Sequence, residues 1–171
     1  MNLKKLLTEK KATIVKRWFS VVVESYPEDT SGFLKKTDAQ FTNPVGYTLA
    51  EGIEGLYDAL LQGVIPDTLS VFLDSIVRIR AVQDFTPSQA VGFIFPLKGI
   101  IRDELGPAIA EHGLSEELTA FESVVDDLAL FSFDRYMHCR EKLAEIKVNE
   151  MKNNTFRLLQ QVNERSGKKK E

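Results

Sequence analysis

SEELTAFESVVDDLALFSFDRYMHCREKLAEIKVNEMKNNTFRLLQQVNERSG, residues 115–167, holds no proline and no glycine before its last position, and its reading decides the fold. A helix of about 50 residues is roughly 75 Å long at ~1.5 Å per residue, more than twice the width of a small domain. It cannot be wholly buried. Ser115 offers an N-cap, and Glu116 and Glu117 set two acids in the first turn, favourable against the helix dipole. The first half carries Leu118, Phe121, Val125, Leu128 and Phe131, enough to pack on other helices. Beyond Tyr136 charges dominate, yet Val148, Met151, Thr155, Leu158 and Val162 keep a 3, 4, 3, 4 spacing, a narrow seam of the a/d kind. A narrow seam wants one partner helix and predicts a homodimer through this segment. Phe156 and Leu159 blur the seam, and a break over residues 147–154, with the tail folded back, is the competing reading. The chain is thus expected to divide into a bundle over residues 1–140 and an extension of the last helix with a basic tail over residues 141–171.

Working outward, the remaining segments also read as helices. Leu3, Leu7, Ile14, Trp18 and Val21 recur at helical spacing between lysines, predicting a first helix that runs to about Tyr26, where Pro27 stops it. Residues 27–42 lack a clear period and read as a loop with one short helical turn. Asn43-Pro44 supplies an N-cap acceptor and a proline at the first helical position, and the stripe Leu49, Ile53, Leu56, Leu60 comes next, ending at Gly63. Gly46, Gly52 and Gly55 weaken that helix, so they imply close approach of a neighbour or of a ligand. Pro66 starts a third helix with Leu69, Phe72, Leu73, Ile76 and Val77 on its core face, ending near Gln83. Thr86-Pro87-Ser88-Gln89 has the form of a capping box. The residues after it, 90–97, are apolar all round and predict a central helix, kinked by Pro96, which frees the carbonyl of Gly92. Gly106-Pro107 is expected to end or turn this helix, leaving a short piece over 108–112 before Gly113. The sum is an all-α bundle of about five to six helices with a long C-terminal helix projecting from it.

Composition agrees with one domain. The chain has 171 residues, 43% of them hydrophobic, which suffices for one core and not for two. Its 22 basic and 25 acidic side chains are interspersed, with a net charge of −3, so no basic face argues for nucleic acid. The one basic run, Lys168-Lys169-Lys170, reads as a frayed end. The single cysteine, Cys139, forms no intrachain disulfide and fits a reducing, cytoplasmic setting. No apolar leader follows Lys4 and Lys5, and the longest uncharged stretch, residues 85–97, is too short to span a bilayer.

No motif for chemistry emerges. Phosphate loops, Cys-x-x-Cys pairs and His-Glu-x-x-His spacings are missing. Cys139 adjoins His138, but neighbours on a helix point about 100° apart and make a poor nucleophile and base. His112 and His138 are the only histidines, so a metal site would need converging acids; Asp126, Asp127, Asp134 and Glu122 read as a solvated face. The expectation is no enzyme, no metal and no cofactor. One alternative keeps a ligand: a pocket around Phe93, Phe95 and Pro96 for haem or a small apolar molecule, with His138 or His112 as the axial group of a haem.

Two stretches, Phe41-Thr42-Asn43-Pro44-Val45-Gly46-Tyr47-Thr48-Leu49 and Asp84-Phe85-Thr86-Pro87-Ser88-Gln89-Ala90, resemble the RsbRD N-terminal domain family of the RsbR-type stressosome co-antagonists. The resemblance covers roughly residues 5–140, and its motifs are structural caps, so they speak to fold more than to function. It implies a helical sensory module, globin-like in its relatives and not necessarily haem-binding, joined by a long helix to a STAS output domain that contacts a switch kinase. This sequence stops after the long helix, without the STAS portion. The resemblance therefore leads one to expect sensing and dimerisation, with a protein partner, in bacterial stress-type signalling.

Overall fold

Asn2 opens the first helix by accepting a hydrogen bond from the Lys5 amide, and every regular element after it is helical among the described residues. The computed structural model describes residues 2–36, 41–63, 67–83 and 85–167. Pro66, Asp84 and the Lys168-Lys169-Lys170 run lie outside them, as does the side chain of Leu69. The elements are α1 (Leu3–Glu9), α2 (Lys11–Glu24), α3 (Glu28–Leu34), α4 (Pro44–Gln62), α5 (Asp67–Val82), α6 (Pro87–Val91), α7 (Pro96–His112) and α8 (Ser115–Gly167).

The first expected helix is two. The chain breaks at Lys10, and the carbonyl of Leu7 accepts instead from the buried Tyr57 hydroxyl at 2.9 Å. The bend lets α1 bury Leu3, Leu6 and Leu7 while α2 buries Ile14, Trp18 and Val22. A strict spacing of four selects Val22, and Val21, expected on the core face, is 37% exposed. The segment expected as loop contains α3, two turns long. Its C-terminus is tied to α4 by Asn43, which is 1% exposed: its Nδ2 donates to the carbonyls of Phe33, Leu34 and Lys36 at 2.9, 3.3 and 2.8 Å. Its Oδ1 accepts from the Gly46 amide at 2.9 Å, so one side chain closes two helix ends.

Close approach accounts for the glycines of α4. A Cβ on Gly46 would strike the Asn43 amide and lie 2.5 Å from the Leu34 carbonyl, and one on Gly55 would sit 2.5 Å from the Phe72 ring. Phe72 thus lies over Gly55 at the edge of the α4–α5 contact, 36% exposed, whereas Leu73, Ile76 and Val77 are fully in the core. Gly63, at φ 68°, ends α4 in the left-handed conformation.

The capping box forms as read: Thr86 Oγ1 accepts from the Gln89 amide at 3.3 Å and Gln89 Oε1 from the Thr86 amide at 3.0 Å. Residues 90–97, however, are not one kinked helix; α6 ends at Val91, a 3₁₀ turn spans Gly92–Ile94, and Pro96 begins α7. Phe95 keeps helical dihedrals (φ −62°, ψ −35°), but proline lacks an N–H, and the first position of a helix is where that donor has no intrahelical partner to lose. Pro107, in contrast, is carried inside α7. The clash it would impose falls on Gly106, which has no Cβ, while Ile100, Ile101, Leu105 and Ile109 hold the helix on the core. α7 therefore continues to His112, and Gly113 at φ 63° turns the chain into α8.

α8 runs unbroken through residues 147–154. Its first half lies on α5, α6 and α7, burying Val125, Leu128 and Tyr136. After half-buried Leu143 every described side chain through residue 163 is exposed, and residues 144–167 extend about 36 Å beyond.

Candidate functional site

The outer part of α8 is the first candidate. Val148, Met151, Leu158 and Val162 are 47, 69, 62 and 59% exposed. Thr155 gives its hydroxyl proton to the Met151 carbonyl at 2.9 Å, which satisfies its polar atom within the helix. Leu130 and Met137, back on the bundle, are 68 and 37% exposed. With Ala144, Met151 and Leu158 they fall seven residues apart on one apolar line that enters the bundle two heptads before the rod begins, while the companion line of Val148, Thr155 and Val162 turns acidic there, at Glu141, Asp134 and Asp127. Sequence reading missed this extension because α8 was expected to spend that half wholly on the core. Ile146, Phe156 and Leu159 are exposed off the line.

The root of the rod is clamped. Tyr136 donates to the Phe85 carbonyl at 3.0 Å and Arg140 to the Ala81 carbonyl at 3.1 Å. Arg135 grips Asp74 through one guanidinium edge, Nε donating to Oδ1 at 2.7 Å and Nη2 to Oδ2. A groove of about 520 Å³ lies between α5 and α8, lined by Asp74, Arg78, Arg135, His138 and Cys139 among others.

Of the residues singled out for a ligand pocket, His138 lines that groove, whereas Phe93, Phe95 and Pro96 do not. Phe93 is 4% exposed and stacks on Trp18, whose Nε1 donates to the Phe93 carbonyl at 2.7 Å. Phe95 is 49% exposed, and Pro96 is half-buried at the start of α7. His138 and His112 both lie exposed on the surface. Among the described residues, no three of His, Cys, Asp and Glu gather closely enough to hold a metal ion.

The centre that sequence reading did not find is Arg80, which has no exposed surface. It follows Leu73, Ile76 and Val77 at the spacing of the buried face of α5, and that position was the available signal. Its Nη1 donates to the Gln89 carbonyl at 2.9 Å, and its Nη2 to the Val22 carbonyl at 3.2 Å and the Ser25 hydroxyl at 2.8 Å. The rings of Tyr26, Phe85 and Phe93 lie 5.2, 4.9 and 5.0 Å from its central carbon. No carboxylate pairs with it among the described residues. Burial lowers the guanidinium's proton affinity and raises that of the Tyr26 hydroxyl, which the neighbouring cation partly opposes.

A helical bundle continued by a rod, with a buried cation at its centre, defines an all-helical module among the described residues. Residues 12–151 match the family described as the RsbT co-antagonist protein rsbRD N-terminal domain, and the chain belongs to that family. It is a family of sensor domains in stressosome-type signalling. No curated protein and no solved structure matches the chain. No described helix is long and apolar enough to cross a membrane.

Proposed function

We propose that this chain is a non-enzymatic sensor or adaptor domain of bacterial stress-type signalling, working in the cytoplasm as a homodimer whose second copy covers the seam of α8. The observation that carries this reading is the exposed heptad line Leu130, Met137, Ala144, Met151, Leu158, flanked beyond residue 144 by Val148, Thr155 and Val162. Water gains nothing from that pattern, whereas burying a Leu or Met side chain recovers about 1 to 3 kcal/mol. In proteins most helical stability comes from packing of an apolar face, and a partner rod supplies the packing that the projecting part of α8 lacks. Residues 141–171 then act as the interaction extension of a bundle formed by residues 1–140. The clamp at Tyr136, Arg135 and Arg140 ties that extension to α5 and to the α5–α6 connection, so a change in the bundle has a stiff element through which to reach a protein partner.

Light scattering on the full chain and on a version truncated before Val148 tests this. The expected result is a dimer for the full chain and a folded, helical monomer, or a much weaker dimer, for the shortened one. A monomeric full chain at tens of micromolar concentration refutes the reading.

A further inference from the structure

Two exposed apolar side chains near the root of the rod are not used by the seam of α8. Val82, at the end of α5, is 72% exposed, and Ile146 is 54% exposed off the heptad line. Ile146 stands one turn beyond Leu143 and two turns beyond Cys139, and both of those line the groove between α5 and α8, as does Val82. The groove and Ile146 therefore form one apolar strip that leads from the bundle onto the rod. Cys139 and Leu143 lie on the opposite side of α8 from Met137, Ala144 and Met151, so a second copy seated on the seam leaves the strip open.

The strip is edged with positive charge. Asp74 and Arg135 bind each other where the groove begins, which occupies the one acid among its lining residues. Arg78 and Lys142, both exposed, add two positive charges to the lining beyond that pair, and exposed His138 adds a third when protonated. Glu141 and Glu145 flank Lys142 on the side of α8 nearer the seam, so the positive region is confined to the groove.

We propose that this groove docks a short acidic amphipathic helix of a partner protein, whose apolar side chains cover Val82, Leu143 and Ile146 and whose carboxylates meet Arg78 and Lys142. An apolar strip with charge along its edge is how a groove receives such a helix. From Arg135 to Ile146 the strip is about 17 Å long, the length of three helical turns or roughly 11 residues. Nucleic acid fits it less well. Its charge recurs at every nucleotide and would meet Glu141 and Glu145, and its phosphates gain nothing from Val82 and Ile146; a peptide sets its carboxylates only where the cations stand. Because the occupant touches α5 and α8 together, it bears on the joint between bundle and rod. The inference gives the partner of the proposed adaptor a chemistry and a place, and rests on that role, but binding is read independently of oligomeric state.

The test titrates the full chain with a labelled, amidated helical peptide of roughly 12 residues, leucines three and four apart on one face and glutamates on their flanks. Anisotropy and amide chemical shifts follow the binding. Saturation is expected with a dissociation constant on the order of 100 µM, and with shifts clustered over residues 74–82 and 135–146. The same peptide with glutamine in place of glutamate should bind at least about tenfold more weakly. Arg78 and Lys142 are exposed, so Arg78→Glu and Lys142→Glu leave the core intact, and each should weaken the acidic peptide by about five- to tenfold. Ile146→Ser should weaken it by about threefold. The proposal is overturned if the acidic peptide shows no saturation up to about 2 mM, if the glutamine peptide binds as well, or if both charge reversals leave affinity unchanged. It is also overturned if a single-stranded oligonucleotide of the same length binds at least as tightly with the same dependence on Arg78 and Lys142. None of those outcomes touches the dimer, which light scattering judges separately.

Discussion

Asn43 shows how much one side chain can decide. As an N-cap it needs only an acceptor, and aspartate caps as well as asparagine. Here the same side chain also donates to three carbonyls at the end of α3, in a site that is 1% exposed. Replacing it by aspartate keeps the cap and sets a buried charge against those carbonyls, so Asn43→Asp should destabilise the fold by about as much as Asn43→Ala, roughly 2 to 4 kcal/mol. Urea denaturation of both variants checks this; an Asn43→Asp protein as stable as the native chain would mean that the cap alone matters. The asparagine was legible in the sequence as a cap because Pro44 follows it. Its second role was not, because the carbonyls it serves belong to a segment without helical periodicity. Arg80 was hidden for a related reason: a charged residue on a buried face has a meaning only once the rings of Tyr26, Phe85 and Phe93, from three other segments, surround it.

Among the elements, α7 and α8 are held together on their outer side by charge. Arg102 donates to Glu122 through Nε and Nη2 at 2.6 and 2.7 Å, and Lys98 to Asp126 at 2.5 Å. The hydrogen bonds from Arg102 hold the Glu122 carboxyl below the usual carboxylate range, with Lys98 adding to the pull and Asp126 opposing it. A group with a depressed folded pKa contributes stability above its unfolded value, about 4.3 for glutamate, and that contribution is lost as pH falls through the folded value. Glu122→Gln should therefore melt below the native chain at pH 7, and the gap should close by about pH 2 to 3. Melting curves across that range decide it, and a gap independent of pH would show that shape and not charge is at work. Helix existence was legible nearly everywhere, since caps and stripes are local. Boundaries failed where two local rules competed. Pro96 and Pro107 carry the same penalty, yet one starts α7 and the other is carried inside it, although Phe95 before Pro96 is itself helical at φ −62° and ψ −35°, so the local rule at the preceding residue does not separate them. The break at Lys10 escaped notice because the Tyr57 hydroxyl that accommodates it comes from 50 residues away in the sequence.

Across the whole molecule, the question is how far along α8 a second copy is in contact. If only the rod pairs, the interface spans the few turns from Val148 to Val162; if the heptad line continues, Met137 and Leu130 bring the bundles themselves together. The two arrangements differ in what a charge on the line does. A lysine buried against its own symmetry mate faces a like charge with no partner, which costs several kcal/mol. Met151→Lys should therefore raise the dimer dissociation constant by about a hundredfold or more in either arrangement. Leu130→Lys, on the bundle, should do the same only if the line is continuous, which is the outcome expected from its 68% exposure in the single chain and its register with Met137, Ala144, Met151 and Leu158. Ile146→Lys provides the control, because position 146 is likewise exposed and apolar but lies off the line, on the outer face of the rod. Sedimentation equilibrium on the three variants separates the cases: weakening by Met151→Lys and Leu130→Lys with Ile146→Lys unchanged means a continuous interface. Equal weakening by all three would mean that general hydrophobicity, and not a heptad register, brings two copies together.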